Sequence, residues 1–243
     1  MISVCITTFN GEKHILEQIN SIISQISDKD EVVVSDDGST DQTVRIIEEL
    51  KDNRIKIYQN KSPKGIISNV QNALIEARGE IIFLADQDDV WLPNKVSICL
   101  KALENSDLVV SDCYIVNGNL NLIETSFYIH NKSQTNKWRA LIRNSYLGCC
   151  MAFKRSILED ALPFPTNIPM HDIWLGNVAA FKHKVRFIDD KLIYYRRHGN
   201  NASTASEPTK ASILKQINYR LPIIQGLAKL FFKSVFRNLH DSE

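Results

Sequence analysis

Residues 81–91 read IIFLADQDDVW and place a run of apolar residues directly before three carboxylates. The run Ile81–Ala85 is typical of a β-strand that is covered on both faces of a sheet. Asp86, Asp88 and Asp89 follow within four positions, and carboxylates this close repel each other and raise at least one pKa. Because a cation between them would offset the repulsion, the stretch predicts a buried strand that ends at a metal site.

Three similar apolar runs precede this strand, at Ile2–Thr7, Val32–Ser35 and Ile55–Tyr58. The segments between the runs repeat apolar residues at helical spacing. This βαβαβαβ order predicts an α/β fold with a mostly parallel, Rossmann-like central sheet and helices on both faces. The later pattern is less regular, and residues 117–137 are expected to form an exposed loop. It predicts strands at Leu108–Ser111, Cys149–Phe153, Val185–Ile188 and Leu192–Tyr195, and a helix at Ile173–Phe181.

The composition is that of an ordinary globular chain of 243 residues, with 44% hydrophobic residues and a formal net charge of +1. This balance gives no reason to expect a nucleic-acid partner. The five cysteines are odd in number and lack CxxC spacing, so neither a disulfide framework nor a zinc site is expected. No basic leader, cleavage site or apolar run of spanning length is seen, which predicts a cytoplasmic protein.

The positive charge is concentrated near the end of the sequence. Residues 209–243 carry a net +4, so the preceding residues carry −3. We therefore expect a catalytic domain at 1–205 and a basic, amphipathic helical tail at 206–243. Two interpretations of the tail stay open: a helix pair interrupted at Pro222 that packs on the domain, or an interfacial helix that binds an anionic membrane surface.

Polar loops follow three of the predicted strands: TTFNG at 7–11, DDGSTD at 36–41 and DQDD at 86–89. Ligands of parallel α/β sheets bind at the carboxyl ends of the strands. The second loop is partly explained by a tight turn and helix capping, and the third by a solvated acidic turn. The DQD spacing also suits a hard divalent cation held by one carboxylate while the other orients a ribose hydroxyl.

These loops resemble the nucleotide-sugar half of family 2 glycosyltransferases with the GT-A fold, of the kind that builds bacterial surface polysaccharides. The resemblance covers roughly residues 1–205. It rests on ITTFNGEKHI (6–15), VSDDGSTDQT (34–43), FLADQDDVWLPNKV (83–96), GCCMAFKRS (148–156), HDIWL (171–175) and YYRRHGNN (194–201). It implies that Thr7, Phe9 and Asp37 hold the nucleoside, Asp86 the ribose, and Asp88 a Mn²⁺ or Mg²⁺ ion on the diphosphate.

The same resemblance implies an inverting reaction with Asp172 as the catalytic base. The family commonly has an acidic pair at this point, and His171 replaces one acid here. A charged imidazole would lower the pKa of the neighbouring carboxyl. The alternative role of Asp172 is a helix N-cap.

Three further residues are weaker candidates. Trp174 could stack on the acceptor sugar, although a tryptophan on an apolar helix is more often in the core. His198 could reach the metal or the diphosphate alongside Arg196 or Arg197, while a lone histidine is more often structural or exposed.

The resemblance thus implies transfer of a hexose from a nucleotide sugar, a UDP-sugar before dTDP-rhamnose, to a saccharide acceptor that is lipid-linked. Such an enzyme would work in the cytoplasm or on the inner face of the cytoplasmic membrane. Two alternatives remain. Residues 86–90 also match the DxDx[TV] motif of haloacid-dehalogenase-like phosphatases, and the chain could be a non-catalytic nucleotide-sugar-binding subunit.

Overall fold

A single mixed sheet organises the chain, with strands in the order β3-β2-β1-β4-β8-β6-β9-β5 and β7 paired with β6. The structure, a computed structural model, describes residues 1–197 and 213–240, and within the last helix it describes the side chains of residues 219–232. The strands are β1 (Ile2–Thr8), β2 (Glu31–Asp36), β3 (Ile55–Gln59), β4 (Ile81–Asp86), β5 (Val90–Trp91), β6 (Leu108–Asn117), β7 (Leu122–Glu124), β8 (Met151–Lys154) and β9 (Val185–Arg197). The helices are α1 (Ile15–Ile23), α2 (Thr43–Glu49), α3 (Ile66–Glu76), α4 (Lys95–Leu103), α5 (Phe127–Asn131), α6 (Lys137–Ile142), α7 (Ser156–Ala161), α8 (His171–Lys182) and α9 (Ile213–His240).

The first four strands are all parallel, with β1 between β2 and β4. Every residue of β1 is buried, and Val32, Val33 and Val34 of β2 are fully inaccessible to solvent. Strands covered on both faces need apolar side chains on consecutive positions, which is the pattern that the sequence showed. The four predicted strands are therefore confirmed, each extended by one or two residues.

The second half of the sheet differs from the sequence-based expectation. The two strands expected at 185–188 and 192–195 are one long strand, β9, which runs parallel to β6 with register shifts near Ser111 and Asp112. The bulges re-aim the side chains, so the apolar pattern breaks while the strand continues. The expected loop at 117–137 contains β7 and α5, and the 3₁₀ turn Gly148–Cys150 replaces the start of the strand expected at Cys149.

The C-terminal helix α9 packs on α8 around residues 223–227. Ile223 and Leu227 are buried, and a β-carbon on Gly226 would lie 2.6 Å from the Trp174 ring. The helix also continues through Pro222, so the expectation of a helix pair interrupted there is wrong. A proline inside a helix costs about 3 kcal/mol, and contact with α8 offsets this cost. Within the described residues, none of the helices combines the length and hydropathy needed to cross a bilayer.

Candidate active site

A cleft of about 890 Å³ opens at the carboxyl ends of β1, β2 and β4. Its far wall is built from the turn 148–150 and the start of α8. All three polar loops noted in the sequence contribute to it, because parallel strands present these ends at one edge of the sheet. The predicted site residues that line the cleft are Thr7, Phe9, Asp37, Asp86, Asp88 and Asp172.

One end of the cleft offers an aromatic surface beside a carboxylate. The Phe9 ring is about half exposed, and the Lys64 Nζ atom lies 5.7 Å from its centroid. Asp37 is buried, and its two oxygens accept hydrogen bonds from the Asn60 amide and the Gly65 backbone N–H, both at 2.8 Å. Each carboxylate oxygen has a second lone pair, so Asp37 can still accept a bond from a ligand. Sequence reasoning missed Lys64, because the 61–65 turn shows no motif.

Gln87 holds two of the loops together. Its side-chain oxygen accepts the Phe9 N–H at 2.9 Å, and its side-chain nitrogen donates to the Phe9 carbonyl at 3.1 Å. The Gln87 amide also lies so close to Gly11 that a β-carbon there would meet it at 2.3 Å. The residue between the two acids of the DQD motif therefore fixes the aromatic loop relative to the carboxylates. No sequence motif indicated this contact, since the two loops are distant along the chain.

Two of the three acids after β4, Asp86 and Asp89, have a raised pKa. Burial, with the charges of Asp88 and Asp172, raises the pKa of Asp86 to about 7. Burial, with the charges of Asp88 and Asp86, raises the pKa of Asp89 well above its usual range. The sequence predicted a raised pKa from the crowding of these acids. Desolvation contributes more to the rise than like-charge repulsion does.

The donor set at this point fits a hard divalent cation. Among the residues that the structure describes, the Asp86, Asp89 and Cys149 side chains bring ligand atoms within 4.8 Å of one another. Burial raises the pKa of the Cys149 thiol, so it stays protonated and is a poor ligand. The carboxylate oxygens remain, and these suit Mg²⁺ or Mn²⁺. Asp88 lies in the cleft but outside that group, so its metal-binding role stays a prediction.

Arg196 does not point at a diphosphate, and this prediction is wrong. The side chain is buried, its Nε donates to the Asp88 carbonyl at 2.6 Å, and its two terminal nitrogens donate to Gly118 and Glu17. The Arg196 backbone N–H also donates to Asp89. Because β9 runs beside the DQDD loop, the guanidinium is used to hold that loop in place. His198 lies outside the described residues, and its metal-binding role stays a prediction.

Asp172 lies in the first turn of α8 and faces the cleft. Met170 takes the N-cap position without a side-chain cap bond, so Asp172 is not the cap. Its carboxylate accepts hydrogen bonds from the backbone N–H groups of Ile173 (2.7 Å) and Gly148. Burial nevertheless raises its pKa to about 6. A carboxylate with this pKa is ionised at neutral pH and is a stronger base than an exposed one.

His171 does not act as a charged neighbour of Asp172. Burial lowers the pKa of His171 to about 4, so the ring is neutral at physiological pH. A charged imidazole is therefore not available to lower the pKa of Asp172, because desolvation dominates both groups. The ring packs on the turn beneath it, and a β-carbon on Gly148 would lie 2.8 Å from its Nε2 atom.

Trp174 belongs to the core and not to the cleft. Its side chain is 1% exposed, and its indole N–H donates to the Ala161 carbonyl at 2.9 Å. Gly226 of α9 covers the ring. No face of the indole is available for a sugar, so the predicted stacking role is wrong.

Comparison with known proteins agrees with this geometry. The structure of TarS residues 1–349 from S. aureus in complex with UDP-GlcNAc superposes with a TM-score of 0.67, at 22% identity, over 86% of this chain and 61% of that one. The mannosyltransferase PcManGT from Pyrobaculum calidifontis, solved with GDP-Man and Mn²⁺, gives a TM-score of 0.61 at 22% identity, over 95% of this chain and 64% of that one. The fold is thus the GT-A fold of nucleotide-sugar-dependent glycosyltransferases.

The sequence comparison gives the family. The profile described as glycosyl transferase family 2 matches residues 3–162, and the chain belongs to this family of enzymes. It is 32% identical to the E. coli glucosyltransferase WfaP, over 84% of this chain and 80% of that protein. It is also 32% identical to a Campylobacter jejuni enzyme named GalNAc(5)-diNAcBac-PP-undecaprenol beta-1,3-glucosyltransferase, over 80% of this chain and 64% of that one. The chain spans about two thirds of the length of several curated relatives, including 64% of the E. coli glucosyltransferase WfgD.

The two rival interpretations find no support. The acidic loop follows the fourth strand in chain order, after three β-units whose loops also line the cleft. In dehalogenase-like phosphatases the nucleophile follows the earliest core strand, and DDGSTD would have no role. Family membership likewise favours a glycosyltransferase over a binding subunit.

Proposed function

We propose that the chain is a metal-dependent, inverting glycosyltransferase that moves a hexose from a UDP-sugar to a lipid-linked saccharide. One observation carries the proposal: Asp172 faces the carboxylates after β4 across a single cleft, close enough for its charge to raise the pKa of Asp86. A base on one wall and an acidic metal site on the other suit a direct displacement at a sugar carbon, because one activates the acceptor hydroxyl and the other stabilises the leaving diphosphate.

Asp172 accepts the proton of the acceptor hydroxyl while the hydroxyl oxygen attacks C1 of the donor sugar. The C1–oxygen bond to the diphosphate breaks as the new bond forms, so the configuration inverts. The N–H groups of Gly148 and Ile173 orient the carboxylate for this step. When bound by Asp88, with Asp86 beside it, a divalent cation offsets negative charge on the departing diphosphate.

The nucleoside is assigned to the Phe9 end of the cleft. A pyrimidine can stack on the exposed Phe9 ring and Asp37 can accept its imide N–H, and Thr7 lines the same cleft. The Lys64 Nζ atom, 5.7 Å from the centroid of the Phe9 ring, adds positive charge near the proposed site of the anionic nucleotide sugar. Relatives named for UDP-Glc support a UDP-hexose, and a Shigella flexneri relative named dTDP-rhamnosyl transferase keeps dTDP-rhamnose as the second choice.

The acceptor is assigned to the wall formed by α8 and the turn 148–150. Relatives named for undecaprenol-linked substrates support a lipid-linked saccharide. We assign the chain to O-antigen or capsule synthesis on this basis. We place such a chain in the cytoplasm, peripheral on the inner face of the membrane. The tail contributes Phe231 and Phe232, which are exposed on α9 beyond the part that packs on α8.

A panel of nucleotide sugars tests the proposal. The chain is incubated with UDP-glucose, UDP-galactose, UDP-GlcNAc, GDP-mannose and dTDP-rhamnose, and release of the nucleoside diphosphate is measured with and without a membrane extract that contains lipid-linked saccharides. We expect one UDP-sugar to be consumed, faster with the extract, and Asp172→Asn to suppress the reaction. Release of phosphate from simple phosphate esters without any donor would instead favour a phosphatase.

A further inference from the structure

Helix α6 presents an apolar stripe to solvent. Trp138 and Ile142 are 61% and 73% exposed, and they lie one turn apart on the same face. Ala140, on the opposite face, is fully buried. The helix is fixed at its start by Asn136, whose side chain accepts hydrogen bonds from the N–H groups of Trp138 and Arg139. An aromatic and an aliphatic side chain therefore project from a well-anchored helix.

Unpaired basic residues surround this stripe. Residues 125–158 contain no acid. Lys132, Lys137, Arg139 and Arg143 are exposed, and none of the four forms a salt bridge within the described part of the chain. Most protein surfaces intersperse both signs of charge, so this region carries a local positive field.

The region is rigidly connected to the helix that carries the candidate base. The Trp138 ring packs edge-on against Phe181 of α8, with centroids 4.9 Å apart. The Lys137 Nζ atom lies 5.1 Å from the Phe181 ring. Asp172 lies in the first turn of the same helix, so a surface that binds through α6 packs on the element that forms the acceptor wall of the cleft.

We propose that Trp138, Ile142, Lys137, Arg139 and Arg143, here called the α6 patch, dock the enzyme on an anionic lipid bilayer. Tryptophan and isoleucine enter the headgroup boundary, while lysine and arginine meet lipid phosphates. The apolar area is only two side chains wide, which is small for a stable protein interface. The inference rests on the proposed function for its purpose, since docking would present the cleft to a membrane-embedded acceptor.

Vesicle flotation tests the α6 patch with the full chain. Vesicles of phosphatidylglycerol mixed with phosphatidylcholine are compared with phosphatidylcholine alone at about 0.1 M salt. Two paired variants are compared with the wild type: Trp138→Gln with Ile142→Gln, and Arg139→Gln with Arg143→Gln. Their matched controls are Ile75→Gln, 61% exposed on α3, and Lys56→Gln with Lys61→Gln, both exposed near β3.

We expect the wild type to bind only the anionic vesicles, each α6 variant to bind at least about tenfold more weakly, and the controls to stay within about twofold. Flotation of both α6 variants at the wild-type level would overturn the proposal. The proposal would also be overturned if only the arginine pair lost vesicle binding and the wild type bound heparin as tightly as the anionic vesicles. That result would define a polyanion site that needs no apolar insertion. Phe232→Gln reports separately on the tail.

Thermal melting and UDP binding by calorimetry are measured on every variant. If the Trp138 pair does not fold, Ile142→Gln alone decides, since that side chain is the more exposed of the two. A wild type that floats as expected but binds no UDP and transfers no sugar would refute the proposed function and leave bilayer docking standing.

Discussion

The two acidic walls of the cleft differ in how their charge is balanced. After β4, three carboxylates lie within four residues, and burial with like charges raises the pKa of Asp86 to about 7. Across the cleft, Asp172 has no acidic neighbour in its own turn, and burial alone raises its pKa to about 6 against hydrogen bonds from backbone N–H groups. Only in the first wall do like charges add to burial in raising the pKa of a carboxyl group.

This difference separates two roles for the same functional group. A crowded set of buried carboxylates favours binding a cation, because the cation offsets both desolvation and repulsion. A single buried carboxylate that keeps its hydrogen bonds stays available as a base near neutral pH. We therefore propose that the environment, and not the residue type, divides the acids into metal ligands and base.

Removal of the metal should have the largest effect. Chelation with EDTA should abolish transfer, because the buried acids are otherwise left to repel the diphosphate, and added Mn²⁺ or Mg²⁺ should restore it. Asp88→Ala should lose this response, while Asp41→Ala, an acid on the rim of the same cleft, should keep it. Transfer is measured as the release of UDP. Full activity in EDTA would contradict the assignment of a metal site to the carboxylates after β4.

Loss of the base should come next. Asp172→Asn keeps the shape of the side chain but cannot take a proton, so turnover should fall by about 10²–10⁴-fold. UDP affinity, measured by calorimetry, should change little because the nucleoside end is remote. Asp190→Asn, an exposed acid on β9 outside the cleft, is the matched control. Turnover of the Asp172 variant within tenfold of the wild type would move the base to another residue.

The pH dependence should be set by Asp172 and not by His171. A base must be deprotonated, so with a pKa of about 6 turnover should be constant above about pH 7 and fall tenfold per unit below 6. His171, with a pKa of about 4, is neutral throughout this range. Rates are measured at saturating Mn²⁺ from pH 5 to 8 for the wild type and His171→Asn. A shift of the midpoint by a unit or more in the variant would show that a charged imidazole controls the base.

The smallest effect should come from Trp174. Trp174→Phe removes the N–H that donates to Ala161, and stability should fall by about 1 kcal/mol. The KM for the acceptor should be unchanged, since the ring does not reach the cleft. Urea unfolding and acceptor titration measure the two quantities. A large rise in KM with intact stability would return Trp174 to the acceptor site.

The sequence determined the parts of this protein that depend on local pattern. Apolar runs at consecutive positions predicted the four parallel strands, and the loops after them predicted the edge of the sheet where Thr7, Asp37, Asp86 and Asp88 meet. These inferences held because strand burial and strand direction follow from period and connection length. The DQD spacing likewise predicted the crowding that the pKa values show.

Only the tertiary structure decided what depends on contacts between distant segments. Arg196 looked like a phosphate ligand but supports the Asp88 loop, 108 residues away along the chain. Trp174 is covered by Gly226, Gln87 joins two loops, and the neutrality of His171 follows from burial. A side chain's partners and its exposure to water are set by packing, and packing is not visible in the order of the residues.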